Sequence, residues 1–434
     1  MPPAAARLLL PVAGLVVVAT IVTGTVIRQT VGGLGTASPP FVMVFKPDAE
    51  LPWALLAVLA TIAAAWAAPH LARPLPSLAT SVWLGAVTLL ALLPGLALNA
   101  VRNGPLGWRE VFLLTEGGSF EAKNEYLAGL PALSYGPGFF VDRFAELVPS
   151  LPVNVAGHPP ALMLVIDALG ITSAGGLAAL CIAAWAVTPA LTFALARTLG
   201  MPPPRARLAG VLCALSPMVL LLGVTSADAI FMAVGAGTAV LLVAPRPALR
   251  VAGCAALAVA SFFSWALLAI GAWAALAVLV REGPRRALAL AAGCGAAVLA
   301  FDGALALATG YDPVGALRAT EAYYRNSVAS RRPYTFWVFG SPVAFAVMLG
   351  LPTAAAALEA ARRRAPAGVA LVGIIGVASI AGFTKAETER IWLPFVPLAC
   401  VAAAEVFGAA RLRLVAPLLA AQALTIVLLF QTIW

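Results

Sequence analysis

The chain has 434 residues, 62% of them hydrophobic and 10% charged, with a mean hydropathy of +0.98. A soluble domain carries about 25% charged residues, so the composition excludes an ordinary globular protein and predicts an all-α polytopic membrane protein. The formal charge of +9 follows membrane topology, as shown below, and needs no nucleic-acid partner.

In chain order, the first apolar run follows one basic residue, Arg7, and extends for about 20 residues, long enough to span. It lacks a convincing small-residue cleavage site and reads as a retained first helix. Apolar runs follow near 51–69, 79–99, 173–198, 207–223, 229–244, 251–264, 266–280, 286–309, 335–357, 367–382, 391–407 and 414–433. Together they predict a bundle of about 11–13 transmembrane helices, several of them short for a 30 Å core. The pair within 251–280 also reads as one long helix broken at Ser261-Phe262-Phe263-Ser264. The segment 160–172 is too short to span, carries Asp167 and follows a Pro-Pro pair suited to a helix start, so a short surface helix is expected. The organisation is a single membrane-embedded domain, 1–434: two leading helices in 1–78, a core over 79–410 with an external loop at 101–159, and a last helix in 411–434.

With a cytoplasmic N-terminus, the positive-inside rule places the short arginine-rich loops, from Arg73 through Arg362-Arg363-Arg364 to Arg413, on the cytoplasmic side. Only Glu282, Glu359 and Glu405 accompany them. Most other acids fall in the external loops 28–50, 101–159, 310–334 and 383–390, so an active site is expected on the extracytoplasmic face of a plasma-membrane protein. Asp302 lies inside a span, where a carboxylate is expensive unless paired or lining a cavity. Five cysteines (Cys181, Cys213, Cys254, Cys294 and Cys400) sit singly in apolar runs and read as core residues. No P-loop, histidine-based metal spacing or GxSxG elbow is present. No internal repeat is visible either, so the inverted-repeat signature of many secondary transporters is missing.

The loop 101–160 is the longest polar interruption in the chain and carries Glu110, Glu116, Glu121, Glu125, Asp142 and Glu146. Any one of these acids can simply keep an exposed loop solvated, but activating a hydroxyl requires a carboxylate base close to it. Glu116 lies beside two glycines, and Asn124-Glu125-Tyr126-Leu127 reads as part of a short helix continuing to Leu130. Tyr135, Asp142 and Glu146 belong to an aromatic-rich turn that fits a sugar platform or an interfacial belt. His158-Pro159-Pro160 opens the surface helix, and a helix N-terminus attracts phosphate; a capping role for His158 competes with that reading. Thr225-Ser226-Ala227-Asp228 sets a carboxylate at the membrane mouth, with a helix N-cap as its plain alternative. Lys385, Glu387, Glu389 and Arg390 place four charges in six residues between two apolar runs, where arginine suits bidentate phosphate binding. The loop 310–334 adds Arg325, Arg331 and Arg332 beside Tyr323, Tyr324 and Tyr334.

A polytopic chain whose long acidic loop closes on Gly157-His158-Pro159-Pro160 and a surface helix resembles the GT-C superfamily of glycosyltransferases, which use polyprenyl-phosphate sugars on the outer membrane face. Asn124-Glu125-Tyr126-Leu127 looks like the acidic element these enzymes carry early in that loop, with Asn124 where the first acid usually stands. Thr225–Asp228 and Glu387–Pro394 look similar to motifs of actinobacterial members that decorate arabinogalactan or lipoglycans. The resemblance implies a GT-C-like core in 79–410, preceded by two extra helices, which leaves Asp48 and Glu50 as outside candidates. It implies Glu125, then Glu116, as the base, and His158, Lys385, Arg390 and Arg325 on the donor phosphate. Tyr126, Tyr135, Asp142, Glu146, Asp228, Glu387 and Glu389 would hold acceptor or sugar, and an apolar groove between helices would hold the prenyl chain. Some such enzymes bind a divalent cation (Mg or Mn), and the motif does not decide whether this chain does. The expected partners are a polyprenyl-phosphate sugar donor, a cell-envelope glycan or lipoglycan acceptor and membrane lipids. A flippase or transporter of a lipid-linked sugar is the alternative, and it predicts functional charges at mid-membrane depth and on both faces. A membrane scaffold leaves the acidic loop unexplained.

Overall fold

A computed structural model describes residues 3–73, 79–382 and 384–432. The boundary assigned at 78, the first residue of the loop 383–390 and the last of the run 414–433 lie outside the described residues.

Among the described residues seven helices are long and apolar enough to cross a membrane, including Pro11–Thr30, Leu51–Leu71, Ala174–Thr198 and Pro284–Thr309; a bent pair makes eight. The chain is an all-α polytopic membrane protein. The larger count expected from the sequence includes shorter apolar helices, Asp228–Leu242, Pro247–Phe263, Pro366–Ala381 and Leu393–Val406. Prolines open many of these elements, at positions where their missing N–H costs nothing, as in Leu51–Leu71, Pro247–Phe263, Pro284–Thr309 and Pro366–Ala381. One hydrophobic core runs through the bundle from Met43 to Ile426, and its largest enclosed side chains include Trp83, Trp185, Trp273 and Trp392.

Two predicted spans are broken. The run 207–223 is Pro203–Leu215 followed by Pro217–Leu222, because Ser216 precedes a proline and is forced out of the helical region (φ −58°, ψ 126°). Its hydroxyl donates to the Leu349 carbonyl at 3.0 Å. The run 335–357 is Tyr334–Leu349 plus Leu351–Arg362, bent by 115°. The segment 251–280 is two helices, parted by an extended Ser264 (φ −159°, ψ 131°). The surface helix is Ala161–Ala168, with Leu162, Met163 and Ile166 buried and Asp167 exposed. Asp302 is half-buried on Pro284–Thr309.

At one end of the bundle the strands Met43–Phe45 and Phe430–Thr432 pair antiparallel, Met43 opposite Thr432. Arg102, at the end of the helix Thr80–Asn103, ties this end together. It donates to Asp48 at 2.7 Å, to the Lys46 and Val427 carbonyls at 2.7 and 2.8 Å, and to Phe430 at 3.1 Å. Asp48, also paired with Lys46 at 3.2 Å, is therefore a structural clasp and not a spare acid. Glu50 is exposed, and its N–H holds the Val101 carbonyl at 3.2 Å. The clasp fixes the 31–50 loop over the acidic end, where the site lies.

The 115° bend turns on Gly350 (φ 104°, ψ 117°), a conformation L side chains rarely adopt. A Cβ there would also lie 2.2 Å from Leu419 Cδ2. Gly350→Ala is expected to lower the thermal unfolding midpoint in detergent, with a backbone strain of about 1–3 kcal/mol before any clash. An unchanged midpoint would show that the bend tolerates a side chain.

Candidate active site

The site is assembled from four segments far apart in sequence. In the long loop, 3₁₀ turns Phe120–Asn124 and Tyr126–Leu133 leave Glu125 extended between them (φ −89°, ψ 171°). Glu125 is thus not on a helix, as its neighbours suggested, but in the break between two turns. Asn124 is spent locally, donating to Glu121 at 2.9 Å. The four-residue helix Val153–Ala156 carries Asn154, the Asp228–Leu242 helix begins with Asp228, and the turn Thr388–Ile391 carries Glu389 and Arg390.

Arg390 joins them. Its guanidinium contacts Asp228 Oδ2 at 3.1 Å, Asn154 Oδ1 at 3.2 Å and Glu387 Oε2 at 3.4 Å. Asn154 passes the connection on, donating from Nδ2 to Glu125 Oε1 at 2.7 Å. Glu125, Asp228 and Arg390 are 0%, 2% and 5% exposed. Ser226 donates its hydroxyl to Asp228 Oδ2 at 2.7 Å and receives the Asp228 N–H at 3.1 Å. Asp228 is therefore the first helical residue and not the N-cap. Arg332 completes the charge balance, donating to Glu387 Oε1 at 2.6 Å and to the Lys385 carbonyl at 2.8 Å. These bonds hold Ala386 and Glu387 in the left-handed region (φ 64° and 59°), where non-glycine residues are strained.

Burial pushes the Glu125 carboxyl up to about 8; the Arg390 charge and the Asn154 bond oppose the shift, and Asp228 and Glu121 add to it. Burial also pushes Glu389 up to about 7, against the bond its Oε1 accepts from the Val42 N–H. Glu387 is pushed up by burial too, but Arg332 and Arg390 outweigh that and hold it below the usual carboxylate range. Glu125 Oε2, the Tyr126 hydroxyl and the Thr225 hydroxyl are buried with no hydrogen-bond partner among the described residues. Buried polar groups are nearly always paired, so each of these three is a group that a polar ligand atom would stabilise. A cavity of about 70 Å³ lies beside Thr225, walled also by Asn99, Arg102, Glu110 and Ser119.

The structure thus gathers Glu125, Tyr126, Asp228, Glu387, Glu389 and Arg390, with His158 and Lys385 at the edge. The His158 ring packs on Phe231 (centroids 4.9 Å apart), and its Nδ1 donates to the Asn154 carbonyl at 2.7 Å. Burial lowers its pKa, so the ring is neutral and Nε2 is an acceptor. This bond lies on the preceding Val153–Ala156 helix, and the Ala161–Ala168 helix that His158 leads into has no side-chain cap. Lys385 donates to the Ala329 carbonyl at 2.9 Å. Five candidates lie elsewhere. Glu116 is exposed, because its Gly-Gly loop turns outward. Arg325 is 74% exposed and bonded to Glu321 at 2.5 and 3.0 Å, and Asp142 and Glu146 both pair with exposed Arg143. Tyr135 is 80% exposed and packs on Phe139.

Asn154 and Arg332 are the residues that the sequence pattern alone does not single out. Asn154 stands one helical turn before His158 in an apolar stretch, which is a signal, though a faint one. Arg332 is one of several arginines in its loop. Among the described residues no group of three or more His, Cys, Asp or Glu is disposed to hold a metal ion. Asp228 and Glu387 are engaged by Arg390. Comparison with known families, characterised proteins and solved structures returns no match.

The raised carboxyls make a stability prediction. Glu389 binds its proton more tightly folded than unfolded, so its contribution falls as pH rises from about 4.5 to about 7 and is level above. Glu389→Gln keeps an oxygen for the Val42 N–H and cannot ionise. Its unfolding midpoint is expected to match the parent near pH 4.5 and to exceed it increasingly up to about pH 7. A difference independent of pH would show that Glu389 ionises freely in the fold.

Proposed function

We propose that the chain is a GT-C-like glycosyltransferase, moving a sugar from a polyprenyl-phosphate donor to a cell-envelope glycan or lipoglycan acceptor on the extracytoplasmic face. One observation carries the reading. A buried carboxylate with an unpartnered oxygen, Glu125 Oε2, sits one asparagine away from a buried guanidinium at the acidic end of the bundle. Base and anion-stabilising cation are what displacement at an anomeric carbon demands. That all these groups gather at one end, with the arginine-rich loops elsewhere, supports an enzyme over a transporter.

In this reading Glu125 Oε2 removes the proton of the acceptor hydroxyl. The acceptor oxygen bonds to the anomeric carbon as the bond from that carbon to the phosphate oxygen breaks, and polyprenyl phosphate leaves with the electron pair. Arg390, with Lys385, neutralises the charge on the leaving phosphate. Asn154 holds the base by one oxygen and leaves the other for the substrate. His158 positions Asn154 through its carbonyl, and Tyr126 and Asp228 meet acceptor or sugar hydroxyls. No step runs through a metal ion.

The test is transfer of radiolabelled sugar in membranes containing the protein, with a panel of polyprenyl-phosphate pentoses and hexoses. Label should reach a glycan acceptor, Glu125→Gln should lower kcat by about 10²-fold or more, and Glu116→Gln should leave it near the parent value. The parent kcat/KM should rise with pH and level off above about 8, because the base acts ionised. Label that changes leaflet with no donor consumed would replace the enzyme with a flippase.

A further inference from the structure

A second cavity lies away from the Glu125 site. It is an apolar groove of about 580 Å³ between the helices Leu51–Leu71 and Leu412–Leu429. The first helix starts, and the second ends, beside the Arg102 clasp, so the groove lies toward their far ends, on the side of the arginine-rich loops. Ile62, Ala65, Ala420 and Leu424 form its wall, and Trp66, His70, Arg73 and Arg413 stand at the mouth. No carboxylate lines it among the described residues, and both arginine side chains reach solvent. Trp66 is 73% exposed and packs on the His70 ring, with centroids 4.9 Å apart.

Size and charge together select an occupant. From Ile62 to His70 the groove runs about 12 Å along one helix, and from Arg413 to Leu424 about 16 Å along the other. That is the depth of one leaflet of a hydrocarbon core about 30 Å thick. An apolar channel one leaflet deep, ending in two arginines and an interfacial tryptophan, fits one lipid molecule, its acyl chain along the wall and an anionic headgroup on the cations. We infer that this groove is a binding site for an anionic phospholipid of the leaflet facing the arginine-rich loops. The inference is independent of the proposed transfer activity.

The experiment is native mass spectrometry of the delipidated full chain, titrated separately with phosphatidylglycerol, phosphatidylcholine and inorganic phosphate. Phosphatidylglycerol should remain as a discrete adduct under activation that strips phosphatidylcholine, and inorganic phosphate should not displace it. The double variant Arg73→Gln, Arg413→Gln should weaken that adduct about thirtyfold, the value for two surface arginines and one anionic headgroup. Ala421→Trp, at an exposed position on the groove, should block the channel and remove the adduct with the arginines intact. Arg285→Gln, Arg286→Gln, on another helix, should keep it. Equal retention of both lipids, unchanged binding in both groove variants, equal loss in the control or displacement by phosphate alone would each overturn the site.

Discussion

The acidic end of this protein depends on one buried cation. The Arg390 guanidinium touches Asp228, Asn154 and Glu387, which come from segments up to 236 residues away in the chain. An arginine out of water is tolerable only when its donors are met, and breaking a buried pair by removing one partner costs about 3–5 kcal/mol. The long loop, the 225–228 turn and the 385–390 turn therefore all meet at Arg390, and losing any one partner is costly. A planar fork with five donors can serve three partners at once; a lysine could not, since its point charge has no fixed geometry.

The same requirement explains the strained backbone. Ala386 and Glu387 stand consecutively in the left-handed region, at a cost of about 1–3 kcal/mol each. The strain persists because Arg332 holds the Lys385 carbonyl and Glu387 from one side, and Arg390 holds Glu387 from the other. Thr388, donating to the Ser341 carbonyl at 2.8 Å, pins the next residue to the neighbouring helix. Glu389 takes the Val42 N–H and so joins the 31–50 loop to this turn. The structural clasp at Arg102 and the charged turn at Arg390 thus act alike. Both hold loops in place over the bundle, alongside apolar contacts such as the cluster of Leu34 and Val42 with Phe336, Trp337 and Ala386.

Much of this is legible in the sequence. Span-length apolar runs mark the helices because a bilayer demands them, and the placement of acids and arginines divides the two ends. Glu125, Asp228 and Glu387–Arg390 stand out because charge between apolar runs is costly unless used. What is not legible is pairing. Glu116 and Glu125 lie in the same acidic loop, and the fold separates them: Glu116 is exposed, whereas Glu125 is buried and bonded to Asn154. Asn154 carries no charge to draw attention to it, although it is the only side chain that links Glu125 to Arg390 in the hydrogen bonds described above. The broken span at Ser216 follows from a local rule at proline, but the 115° bend at Gly350 needs the packing of Leu419 and Pro217 to make sense.

The charges of the site also constrain the chemistry proposed for it. Four carboxyls, Glu125, Asp228, Glu387 and Glu389, surround two guanidiniums, Arg332 and Arg390. Two of the acids, with pKa pushed up to about 8 and about 7, carry protons below those values, which leaves the buried cluster close to neutral. Burial that makes Glu125 reluctant to ionise also makes its ionised form a strong base. Under the proposed reaction, Glu125 becomes neutral as the phosphate, a diester with one negative charge, leaves as a monoester with a second. Negative charge is moved within the site and not created in it. A low-dielectric site tolerates such a transfer far better than the appearance of a new charge. The indirect link through Asn154 follows from the same logic. A direct Glu125–Arg390 ion pair would hold the carboxylate ionised but weakly basic, whereas one intervening amide keeps the base within the field of the cation and still able to take a proton.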